Sequence, residues 1–181
     1  MTLQPVNRIA VDAAILFSDL LLPLEPMGIR FDFIKGEGPA IENPIQDEAD
    51  IDRLRRFDPR EALGHVLEAI RQVQRELNGR VPLIGFAGAP WTLAAYMVEG
   101  GSGSDFLLSR KMARTDPALF QKLIDILTDA VTSFLIAQVD AGAQAVQLFD
   151  SWAGVLAPDE REKWSVAPIR KIIEGLREAR P

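Results

Sequence analysis

Three stretches of this sequence end an apolar run in or beside a group that can do chemistry. They are "AAILFSD" at 13–19, "PLIGFAGAP" at 82–90 and "AVQLFDS" at 145–151. The first presents the carboxylate of Asp19. The third presents Asp150 and the hydroxyl of Ser151, and Tyr96, the only tyrosine, follows the second. An ionised carboxylate accepts up to about four hydrogen bonds and donates none, whereas a phenol or hydroxyl does both. An acid, a phenol and a hydroxyl on one rim, beside the rings of Phe86 and Phe149, can hold a polar ligand against an apolar wall.

Each residue also has a plain structural reading. An Asp after a strand often caps a turn. Ser151 can serve as an N-cap or turn residue. Tyr96 can be core with its hydroxyl reaching water, and the two phenylalanines can simply pack. Their joint placement at three strand ends is what favours function, because parallel α/β folds carry their sites at the carboxyl ends of the strands.

Other chemistries find less support. With no cysteine and a single histidine, His65, the chain has no disulfide framework, thiolate zinc site or iron–sulfur cluster. A metal site would need carboxylates alone, and no such cluster is visible. "GFAGAP" lacks the Gly-Lys-Ser/Thr of a P-loop. "GGSGSD" precedes a helix and reads either as an anion-binding loop or as a flexible one. Arg110, Lys111 and Arg114 form a basic helix face, solvated or in a subunit contact.

The elements that position the strand ends can be read from periodicity. Residues 13–18, 81–86 and about 143–151 read as buried strands, continuous and apolar. "IRFDFI" followed by "KGEGP" reads as a hairpin with a glycine turn. The acidic run "QDEADIDRLRRFDPRE" suggests a short solvated helix or turn. Leu63, Val66, Leu67, Ile70, Val73 and Leu77 make a helical stripe that Asn78-Gly79 ends. "WTLAAYMVEGG" gives a short helix, and Ser104 and Asp105 are placed to cap "DFLLSRKMAR". Asp116-Pro117 opens a long helix to about Val139, with Leu123, Leu127, Val131 and Leu135 on one face. The C-terminal part is helical on both sides of Pro168.

The order strand, helices, strand, helices, strand, helices is that of parallel βαβ units. Three such strands read either as part of a (β/α)8 barrel or as a small open sheet, in one domain spanning 1–181. The 181 residues are 48% hydrophobic and 25% charged, which argues against disorder. A net charge of −6 disfavours nucleic acid and anionic membranes as partners. "MTLQPVNRIAVD" carries no basic-then-apolar signal and no run suits a membrane span, so a cytoplasmic protein is expected.

Four blocks, "DAAILFSDLLLPLEPMG", "KGEGP", "PLIGFAGAPWTLAAYMVEGG" and "AGAQAVQLFDSWAG", together resemble the uroporphyrinogen decarboxylase family. The resemblance covers nearly all of the chain. It implies a cofactor-free, cytoplasmic, homodimeric (β/α)8 enzyme of haem and porphyrin biosynthesis. Such an enzyme converts uroporphyrinogen III to coproporphyrinogen III by removing four acetate carboxyls. By motif it makes Asp19 the substrate-holding aspartate, Tyr96 the active-site tyrosine and Ser151 a substrate-contacting hydroxyl. Phe86 and Phe149 become the apolar lining of the cleft. The family's arginine-rich "RQAGRY" segment and its strand-end histidine have no counterpart in these residues, which match about the second to fourth barrel strands. Two alternatives stand beside this reading. One is a catalytically inactive fragment of such an enzyme. The other is a cobalamin-related methyltransferase of the same superfamily, whose zinc takes His and Cys ligands.

Overall fold

The computed structural model describes residues 2–36, 38–103 and 105–181. A six-residue helix, α1 (Leu3–Arg8), leads into β1 (Ala14–Ile15), and the antiparallel hairpin β2 (Phe31–Ile34) and β3 (Gly38–Ile41) follows. The acidic run folds as α2 (Glu48–Asp52), where Asp47 and Asp50 form a reciprocal capping box. Two helices follow, α3 (Pro59–Ala62) and α4 (Gly64–Leu77), then β4 (Leu83–Gly88). Next come α5 (Pro90–Glu99), α6 (Leu107–Thr115), the long α7 (Pro117–Asp140) and β5 (Ala145–Phe149). α8 (Pro158–Arg161) and α9 (Ala167–Ala179) close the chain.

β1, β4 and β5 form a parallel sheet in that order, and the hairpin stands apart from it. The barrel-type expectation therefore holds in its partial form: consecutive βα units, neighbours in sequence and in space. The helix stripes lie where periodicity places them. Val66, Leu67, Ile70 and Leu77 of α4 are buried, as are Leu123, Leu127, Val131 and Leu135 of α7. Truncating one of the three α7 leucines among these to Ala should cost about 2–5 kcal/mol. Asn78 takes the left-handed conformation (φ 46°) that ends α4.

Two expectations change. The strands were expected to be buried throughout, yet alternation along the strands separates two faces. Ala14, Leu83 and Ala87 join the helix-covered core, with Leu16, Val146 and Leu148 packed against it. On the other face Gln147 is exposed and Phe17 is 82% exposed. Only one face of this sheet is helix-covered among the described residues. The second change concerns α6. Ser104, one expected cap, lies outside the described residues, and the other, Asp105, does not cap. Phe106 occupies the N-cap position with φ 48°, and the carboxylate of Glu99 accepts from the N–H groups of Leu108 and Ser109.

The C-terminal helix is continuous but irregular. Between α8 and α9, residues Glu162–Val166 form a π turn, in which Ala167 N–H reaches the Glu162 carbonyl. It lies just ahead of Pro168, whose missing N–H and bulky ring disfavour a regular α-turn.

Candidate active site at the strand ends

β1 breaks from the sheet after two paired residues. The Phe17 N–H turns back to the Ile15 carbonyl (3.1 Å), and the chain swings Phe17 and Asp19 over the end of β4. One Asp19 oxygen accepts from Leu21 N–H at 2.7 Å, so this residue does cap its own turn. Because a carboxylate has about four acceptor sites, that single bond leaves capacity for a ligand.

The end of β5 is held by the first turn of α5. Ala89 N–H donates to the Phe149 carbonyl (2.9 Å). The Trp91 indole N–H donates to the Trp152 carbonyl (3.0 Å), and Thr92 donates to Asp150 (2.7 Å) while accepting from Trp152 N–H (3.3 Å). Ser151 sits between two clasped neighbours with its own side exposed. Asp150 also accepts from the Ser165 hydroxyl, supplied by the π turn. Burial pushes the Asp150 carboxyl above its ordinary value, and the Ser165 and Thr92 hydroxyls only partly offset this.

Tyr96 lies one turn from the end of α5, with its ring edge-on to those of Trp152 (6.0 Å) and Phe106 (6.3 Å). Phe86 stacks on Phe17 at 5.8 Å and meets Phe149 edge to face at 5.6 Å. The hairpin folds over this wall. Ile41 N–H donates to the Gly100 carbonyl and Ile45 N–H to that of Met97, both at 2.8 Å, which brings Phe33 and Pro39 to the cleft.

Asp19, Phe86, Tyr96, Phe149 and Ser151 all line one cavity of about 330 Å³, together with Phe17, Leu20 and Phe33. Asp19 is its only charged side chain among the described residues. Larger grooves of about 840 and 730 Å³ lie on helix faces, one beside α2 and α6 and one along α7 and α9. The strand-end cavity is the better candidate because β4, β5 and the segment that follows β1 all deliver side chains to it. In the sequence Phe17 reads as buried strand and Trp91 as core or interface, as its full burial bears out, and nothing there singles out Thr92. The signal for Phe17 was the period-2 alternation with Ile15. No group of three or more His, Cys, Asp or Glu side chains among the described residues is disposed to hold a metal ion, and no helix among them is long and apolar enough to cross a membrane.

These features define a class: parallel βα units of barrel type with an apolar, singly acidic cleft at the strand ends. The fold is shared with a methyltransferase from Methanosarcina mazei, at a TM-score of 0.78 and 22% identity, covering 97% of this chain and 52% of that one. The family model for uroporphyrinogen decarboxylase (URO-D) matches residues 1–181. Uroporphyrinogen decarboxylases from Sorangium cellulosum and Vibrio cholerae are 52% and 49% identical to it over 176 residues, 97% of this chain and 50% of each relative. That from Roseiflexus is 48% identical over 177 residues, 98% of this chain and 51% of the relative. The chain belongs to the uroporphyrinogen decarboxylase family, and it spans about half the length of these curated relatives.

Proposed function

We propose that this chain supplies the strand-end wall of a uroporphyrinogen decarboxylase. That enzyme converts uroporphyrinogen III to coproporphyrinogen III by four acetate decarboxylations. The observation that carries this reading is the meeting of Asp19, Phe86, Tyr96, Phe149 and Ser151 in one cavity.

The substrate is a flexible ring with four inward pyrrole N–H groups and eight outward carboxylates. Asp19 accepts from the pyrrole N–H groups and holds the ring domed. Protonation of a pyrrole carbon puts positive charge on the ring. Loss of CO2 returns the bond electrons to it and leaves an exocyclic methylene. Protonation of that methylene, with release of the first proton from the ring carbon, gives the methyl group. A fixed anion near the nitrogens stabilises that charge where water is excluded. Tyr96 orients Asp19 or donates to an acetate oxygen, Ser151 binds a carboxylate arm, and Phe17, Phe86 and Phe149 pack against the ring. No cofactor is required by this sequence of steps. We further propose a cytoplasmic homodimer, with residues 1–181 as one domain.

The test is anaerobic incubation of the purified chain with uroporphyrinogen III, with coproporphyrinogen followed by chromatography. Formation of coproporphyrinogen, abolished by Asp19→Asn, is the expected result. No product from the wild-type chain favours the catalytically inactive alternative, and undiminished turnover in Asp19→Asn overturns the role given to Asp19.

A further inference from the structure

β1 leaves the sheet early, and a side chain takes the place it vacates. The last ladder bond between them runs from Leu16 N–H to the Ile84 carbonyl (3.2 Å). In a parallel ladder the next residue of β4 to face β1 is two positions on, at Phe86. Its N–H and carbonyl would be buried without a strand partner, which is costly. Gln138 of α7, only 2% exposed, meets both. Its Oε1 accepts from Phe86 N–H at 2.9 Å and its Nε2 donates to the Phe86 carbonyl at 2.8 Å. Gly85 makes the room, since a Cβ there would lie 2.5 Å from that Oε1. The ring carried by this residue is the middle one of Phe17, Phe86 and Phe149.

We infer that Gln138 is a positioning residue: its amide replaces a strand partner at Phe86, fixes the backbone of β4 there, and so sets the central ring of the cleft wall. The same substitution frees β1 to turn away and carry Asp19 to the cavity. The consequence for a porphyrinogen rests on the functional reading above. The device itself does not, and it can be tested without substrate.

The experiment compares amide exchange in wild type, Gln138→Met and Gln138→Glu by nuclear magnetic resonance. Methionine keeps the volume and loses the paired donor and acceptor. Protection at Phe86 should fall about tenfold or more, while Ala89, bonded to Phe149 of β5, keeps its protection. Contacts between the Phe86 and Phe149 rings should weaken in parallel. The second variant supplies a rescue. A protonated carboxyl accepts and donates as the amide does, whereas an ionised one only accepts. In Gln138→Glu either form of the carboxyl accepts from Phe86 N–H, so protection there should be largely restored. The bond to the Phe86 carbonyl should form only as pH falls through the titration of the introduced carboxyl, read from the Phe86 carbonyl chemical shift. Asp140, the other acid nearby on α7, is paired with Arg60 and Arg180, and Gln138→Met in the same pH series controls for it. Equal loss at Phe86 and Ala89, undiminished protection at Phe86 in Gln138→Met, or a Phe86 carbonyl shift in Gln138→Glu that does not change with pH, would overturn the inference. Failure of the uroporphyrinogen assay would leave these exchange results untouched.

Discussion

Glu99 and Ser109 are joined twice: one oxygen of the Glu99 carboxylate accepts from both the backbone N–H and the hydroxyl of Ser109, at 3.3 Å each. A residue at the end of α5 thus caps α6 across the intervening glycine loop. Glu99→Ala should cost about 1–2 kcal/mol in urea unfolding. Glu99→Gln, which keeps an acceptor oxygen, should cost less. Equal losses would mean that packing, not capping, ties the two helices.

Phe17 separates stability from binding. At 82% exposed it contributes little to the fold, so Phe17→Ala should leave the unfolding midpoint within about 0.5 kcal/mol of wild type. Its stacking on Phe86 should nonetheless matter to a bound ring, and uroporphyrinogen affinity should fall severalfold in a direct titration.

Tyr96→Phe removes one hydroxyl and leaves the ring packing intact. Loss of a single neutral hydrogen bond, about 0.5–1.5 kcal/mol, predicts a rate lower by about twofold to tenfold. A decrease of several orders of magnitude in the decarboxylation assay would give the phenol a larger share of the chemistry.

Asp150 carries a pH dependence whose sign is fixed. Its carboxyl titrates above the ordinary value of 3.8 in the folded chain. It therefore favours the fold while protonated, and that contribution is lost as pH rises from 3.8 through the higher folded value. Asp150→Asn stays neutral, accepting from one of the Thr92 and Ser165 hydroxyls and donating to the other. Its stability relative to wild type should grow with pH over that window. A difference that is constant from pH 3.5 to 7 in denaturant titrations would contradict this.

Gly85→Ala should destabilise by about 1–3 kcal/mol, because the added methyl meets the Gln138 amide at 2.5 Å and the Ala143 Cβ at 3.1 Å. Calorimetry of the single variant checks it.

The parts legible in the sequence are those written locally. The stripes of α4 and α7, the Asn78-Gly79 stop and the Asp116-Pro117 start are each decided by residues a turn apart, and all stand where the periodicity puts them. So does the gathering of Asp19, Phe86, Tyr96, Phe149 and Ser151, because strand ends in parallel units converge whatever the intervening helices do. What stayed hidden depends on distant partners. Gln138 reads as one amide in an apolar helix until β4 is laid beside it. The grip of Trp91 and Thr92 on residues 150–152 spans about sixty positions. The cap of α6 by Glu99 crosses a loop that offers a nearer acid of its own, Asp105. α1 carries too few residues to show a period.

The π turn at 162–166 amounts to one residue more than an α-helix of the same course would hold. Wound instead as ordinary α-helix, the same residues would rotate everything beyond them by about 100°. Ile172, now fully buried, and Gly175, whose missing side chain lets Thr132 of α7 approach, would both turn off the helix they pack against. The irregularity thus works as a phase correction. It lets Ser165 serve the strand end and α9 serve the core from one unbroken helix, and the spacing between those two duties is counted in single residues.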